Sequence, residues 1–119
     1  MMIMSNSQYL FRTMELVIKD FIKTKKEYLK TTTFVIEHLT AQWVKANAAF
    51  ESRFDDEKSW NNRQQNENVM THLNNKICDL TLKRQKCAEE LAADENLLEA
   101  ILTATEKAKE EAEIGRAHV

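Results

Sequence analysis

The 119 residues contain no proline and one glycine, with 43% hydrophobic and 30% charged side chains and a formal net charge of −2. So little glycine and proline leaves few ways to build tight turns or strand connections, and long helices are the expected solution. The near-neutral balance argues against bulk nucleic-acid affinity, which needs a concentrated positive face to displace counterions from phosphates.

The expected fold class is all-α: long amphipathic, coiled-coil-like helices, arranged as one extended helix or as a two-helix antiparallel hairpin. Residues 1–7 read as a flexible N-terminus. Met1-Met2-Ile3-Met4 is too short for the apolar region of a signal peptide, and the stretch beyond it is interrupted by Arg12, Glu15, Lys19 and Asp20. No uninterrupted run approaches the ~20 apolar residues needed to span a bilayer.

Residues 8–54 form the first amphipathic segment. Ile22, Leu29, Ile36, Trp43 and Phe50 recur every seven residues, with Ile18, Leu39 and Ala46 at companion positions and Lys25 and Thr32 as polar exceptions. Phe21, Tyr28, Val35 and Ala49 widen this stripe on one side, and a broad stripe suits a bundle or hairpin better than a two-helix seam. Thr31-Thr32-Thr33-Phe34-Val35-Ile36 individually favour a strand. The heptad continues through them, so a helix is expected there.

Residues 55–68 read as a polar break or loop. From Glu51 to Asn68 the large apolar residues are Phe54 and Trp60, and Asn61, Asn62, Asn66 and Asn68 accumulate. The first seam extrapolates to position 71, whereas the second is built on Met70. Missing Gly and Pro favour one continuous helix of roughly 160 Å over residues 8–113. The asparagines and the shifted seam favour a hairpin. Continuity is the first expectation and the hairpin the second.

Residues 69–113 form the second segment, with a seam of Met70, Leu73, Ile77, Leu80, Arg84, Cys87, Leu91, Asp94, Leu98, Ile101, Thr105, Ala108 and Ala112. Sustained three- and four-residue steps over several heptads support coiled-coil packing. Leu97 and Leu102 flank Leu98 and Ile101, which places the strongest packing patch at residues 91–102. Residues 114–119, Ile114-Gly115-Arg116-Ala117-His118-Val119, resemble the translation of a common sequencing-library adapter. The adapter requires the preceding codon to end in AG, and Glu113 satisfies this. The tail is therefore expected to be non-native, with the natural chain continuing beyond Glu113. Sequencing the genomic locus should find other codons there, and an in-frame native stop after Val119 would contradict this expectation.

Chemical sites are weaker than their structural explanations. His38 and His72 lack ligand partners at helical spacing, so no metal is expected. Cys78 and Cys87 stand about 180° apart round one helix and cannot bridge within it. With no signal peptide evident, they point to a reducing cytosolic or nuclear compartment, and a cytoplasmic setting is expected. The acidic groups Glu89/Glu90, Asp94/Glu95 and Glu110/Glu111 read as solvated faces, since acid–base work needs a pocket that separates their pKa values. No glycine loop exists to cradle a phosphate, and Ser5, Ser7, Ser52 and Ser59 lack a nucleophile context. Catalytic residues and cofactors are accordingly not expected.

Trp43 reads as core or interface, and Trp60 either as an exposed recognition anchor or as packing beneath a turn. The Lys19, Lys23, Lys25, Lys26 and Lys30 group could meet an anionic membrane, although its aliphatic stems also suit the edges of a buried seam. The leading expectation is a non-enzymatic coiled-coil interaction segment of a longer protein, a scaffold, tether or cytoskeletal element. Its interface residues are Ile22, Leu29, Ile36, Leu39, Trp43, Phe50, Leu73, Ile77, Leu80, Leu91, Leu98 and Ile101. Its partner would be another helical protein or a second copy, with no nucleic acid. The alternative is a peripheral membrane-binding module that uses the lysine-rich first helix. Heptads recur in unrelated proteins and carry no family signature.

Overall fold

The computed structural model describes residues 6–51 and 57–117, and the side chains of 6–49, 61 and 63–115. All of the described residues are helical: α1 spans Asn6–Glu51 and α2 spans Glu57–Ala117. Two helices replace the single continuous helix that the missing glycine and proline favoured. The deciding contact is an ion pair between Lys25 and Asp94, 69 residues apart in sequence. On one straight helix they would be separated by about 100 Å. Residues 52–56, Phe54 among them, lie outside the described residues, as do the side chains of Phe50 and Trp60.

The polar segment expected as a break at 55–68 is helical from Glu57 onward. Helix α1 begins at Asn6, within the expected flexible 1–7, and α2 continues through Ile114 to Ala117. Composition explains this regularity. No described non-glycine residue has a positive φ, so right-handed helical backbone suffices throughout. A methyl group at Gly115 would meet nothing within 4 Å. Threonines are accommodated by donating their hydroxyls to carbonyls one turn back, as in Thr40 to Ile36 at 2.7 Å and Thr105 to Ile101 at 2.8 Å. The run Thr31–Ile36 is helical, because Thr32, 5% exposed, occupies the seam where strand geometry would break the heptad.

The first turn of α1 carries no acidic residue and its last turn no basic one. Its macrodipole is therefore uncompensated by side-chain charge, and packing has to stabilise the helix. Packing is organised in two compact units, each of which pairs a piece of α1 with a piece of α2.

The first unit comprises the described parts of Met1–Glu27 and Ala88–Val119. Ile18, Ile22 and Ile101 form its buried cluster, with Leu91 and Leu98 packed against it. Lys25 follows Ile22 along α1, while its partner Asp94 precedes Ile101 along α2. The two pieces are therefore antiparallel.

The second unit is Tyr28–Cys87. Thr32, Ala46, Leu73 and Cys87 are buried, and Leu29, Ile36, Leu39, Trp43, Ile77 and Leu80 are half-buried. Arg84 Nη1 donates to Thr33 Oγ1 across the helices at 3.4 Å. The polar seam residue Arg84 is thereby met by a hydroxyl that borders the α1 seam.

Candidate interaction surface

Burial along both helices follows the heptads. On α1 the buried and half-buried positions include Ile18, Ile22, Lys25, Leu29, Thr32, Ile36, Leu39, Trp43 and Ala46; on α2 they run from Arg63 and Asn66 through Met70, Cys87 and Ile101 to Ala108. The seam positions anticipated from spacing therefore face the partner helix, apart from exposed Ala112 and undescribed Phe50.

The flanking positions behave differently. Phe21, Tyr28 and Val35, expected to widen the packed stripe, are 49%, 41% and 37% exposed, and Ala49 is exposed as well. Leu97 and Leu102, expected to reinforce the packing patch, are 44% and 41% exposed. A single helix partner covers the two seam positions of each heptad and leaves the next position uncovered. The breadth seen in the sequence therefore exceeds what one antiparallel pair can bury.

In the first unit this surplus is ordered. Leu10, Met14, Val17 and Phe21 are exposed on α1 at steps of four, three and four residues, each one residue before a seam position. On α2, Leu97 stands one residue before Leu98, with exposed Ala93 and Ala100 one turn away on either side. A two-fold axis perpendicular to the plane of two helices reverses direction while leaving the upper face upper. Positions that precede the seam consequently lie on the same side of an antiparallel pair. Phe21 and Leu97 thus belong to one uncovered apolar face, about 16 Å long from Leu10 to Phe21 at 1.5 Å per residue.

Phe21 also shelters the seam. Its ring centroid is 5.9 Å from Lys25 Nζ, which is the nitrogen paired with Asp94. The remaining lysines of this part of α1 lie elsewhere: Lys19, Lys23 and Lys26 are about 120–180° round the helix from Val17 and Phe21. Lys19 engages Glu15 at 2.7 Å on its own helix. A bilayer meeting the apolar face would therefore find those lysines on the far edge, whereas an amphipathic membrane helix carries them beside its apolar face.

The second unit has Tyr28 and Val35 in the corresponding place on α1, but α2 answers with Val69 followed by Lys76 and Lys83. Lys83 lies 3.0 Å from Asp79, whose hydrogen bond and charge raise its pKa above the ordinary lysine value. The uncovered apolar surface of this unit is interrupted by charge.

Among the described residues, no three or more His, Cys, Asp or Glu side chains are placed to hold a metal ion, and no helix is long and apolar enough to cross a membrane. His38 Nε2 is 3.2 Å from Gln42 Nε2 on its own helix. Cys87 is buried in the seam and Cys78 is exposed. No protein-family model matches the sequence, and no curated protein or solved structure matches it. Its class rests on what the geometry shows: an all-α antiparallel helix pair, coiled-coil-like in its heptads.

Proposed function

We propose that this protein is a non-enzymatic helical interaction segment, a scaffold, tether or assembly element of the cytoplasm, whose binding surface is the uncovered apolar face of the first unit. The observation that carries the reading is the exposed Leu10/Met14/Val17/Phe21 stripe beside Leu97. Scattered exposed apolar residues are ordinary, but a heptad-spaced set on one side of a folded pair is the pattern of a helix-binding surface. The seam residues Ile22, Leu29, Ile36, Leu39, Trp43, Leu73, Ile77, Leu80, Leu91, Leu98 and Ile101 take a different role from the one their spacing implied. They hold the pair together, and their neighbours one position earlier meet the partner.

A photoreactive side chain placed at Phe21 or Leu97 in the full chain should give protein adducts in cells that express it. The same group at Lys23 or Glu99, on the opposite edge, should give none. Equal labelling at all four positions would remove the support for this surface. Adducts confined to lipid, accompanied by co-sedimentation with anionic liposomes, would favour the membrane-binding alternative.

A further inference from the structure

We infer that the uncovered face of the first unit accepts a partner helix whose apolar stripe is flanked by basic residues, rather than a second copy of this chain; the inference rests on the interaction-segment reading. Charge complementarity round the rim favours such a partner. Beside the apolar face α1 carries Asp20, about 60° round the helix from Val17, and α2 carries Glu111 at the Leu10 end and Glu90 beyond the Phe21 end, all exposed. Lys107 is the basic residue among these positions. The cationic side chains of this part of α1, Arg12, Lys19, Lys23 and Lys26, occupy the other edge.

Joining two copies through this face would set acidic rim against acidic rim, and like charges in register oppose association. A helix with Leu or Ile on one stripe and Lys or Arg on its flanks meets apolar surface with apolar surface and carboxylates with cations. It would lie along Phe21 and Leu97 as the third helix of a bundle, covering the surface that the antiparallel pair cannot. Its length would be about three to four turns, set by the stretch from Leu10 to Phe21.

The test uses a labelled three-heptad peptide with Leu and Ile on its seam and Lys on both flanks, and a matched peptide with Glu on the flanks. Fluorescence anisotropy on the full chain should show the Lys-flanked peptide binding at least about tenfold more tightly, with the difference shrinking in high salt. The double variant Val17→Glu/Leu97→Glu should lose at least about tenfold of that affinity while its circular-dichroism melt is unchanged, because both positions are 44% exposed and neither lies over the Lys25–Asp94 pair. Adding carboxylates would strengthen nonspecific attraction to a basic peptide, so this loss has to come from the apolar face. Leu16→Glu, at a 60% exposed site on the other edge, should bind like the parent.

Equal binding of both peptides, or undiminished binding by the double variant, would overturn the inference. Self-association abolished by the same double variant would overturn the partner's chemistry and leave the interaction-segment reading standing. A face that binds neither peptide nor a second copy, and gives no adducts, would defeat both.

Discussion

Ile101→Asp should melt the helix pair of the first unit, with a loss of more than about 3 kcal/mol, because it removes a buried apolar side chain and leaves a carboxylate without a partner. Ile101 is 5% exposed and contacts the Ile18/Ile22 cluster. Leu98→Asp should follow it, somewhat less severely, since Leu98 packs against that cluster from a half-buried position. Glu99→Lys, one residue further along on the exposed side, should change stability by less than about 0.5 kcal/mol. Denaturant melts of the three variants give the ranking directly. A silent Leu98→Asp, or a Glu99→Lys as damaging as Ile101→Asp, would mean that the seam has been placed on the wrong side of α2.

The Lys25–Asp94 pair should show strongly non-additive energetics. Its side chains are 25% and 17% exposed, and Phe21 lies over the ammonium. Water screens the pair incompletely. Lys25→Ala should leave the Asp94 carboxylate in a poorly solvated seam and cost about 1–3 kcal/mol, less than the 3–5 typical of a fully buried pair. Asp94→Ala should cost a similar amount by stranding the ammonium. The double variant Lys25→Met/Asp94→Leu should recover most of that loss or exceed the parent, because desolvating two ions offsets much of their attraction. Thermal melts of these proteins together with Lys25→Ala/Asp94→Ala, which combines the two single substitutions, close the cycle. Losses that simply add would show that the two groups do not interact in solution.

The same pair shows what spacing could and could not disclose. The heptads assigned Ile18, Ile22, Leu29, Ile36, Leu39, Trp43 and Ala46 to one seam and Leu73, Ile77, Leu80, Cys87, Leu91, Leu98 and Ile101 to the other, and these positions are buried or half-buried. Period alone sufficed because a helix has one face toward its neighbour. Lys25 and Asp94 stood out in the sequence as polar interruptions of two separate seams. Their opposite charge was the available sign that the seams face each other, and with it that the chain reverses direction. The weak Arg84–Thr33 contact in the second unit likewise gives a polar interruption of the α2 seam a partner on α1, though at a residue beside that seam.

Chain reversal was harder to read because its usual markers are missing. Neither glycine nor proline marks the connection, and the asparagine-rich segment that looked like a loop is helical from Glu57. A polar run does not break a helix unless its residues have somewhere better to go, and Asn within a long helix costs only a few tenths of a kcal/mol per residue, on the order of intrinsic propensity differences. Stripe width was misjudged for a related reason. Phe21, Tyr28, Val35 and Leu97 are apolar at positions that one partner helix cannot cover, so composition made them look like core while the geometry leaves them at the surface.

An antiparallel pair buries one heptad seam and leaves the neighbouring apolar positions exposed, where we propose that another helix docks. Hydroxyl-radical footprinting of the isolated chain at low micromolar concentration tests it residue by residue. After correction for intrinsic reactivity, Leu97 should be labelled far faster than its neighbour Leu98, and Val17 far faster than Ile18. Adding the Lys-flanked peptide should slow labelling at Leu97 and Val17 while Leu98 and Ile18 stay protected. Equal protection of Leu97 and Leu98 in the isolated chain, or labelling at Leu97 and Val17 that no helical peptide slows, would contradict the account.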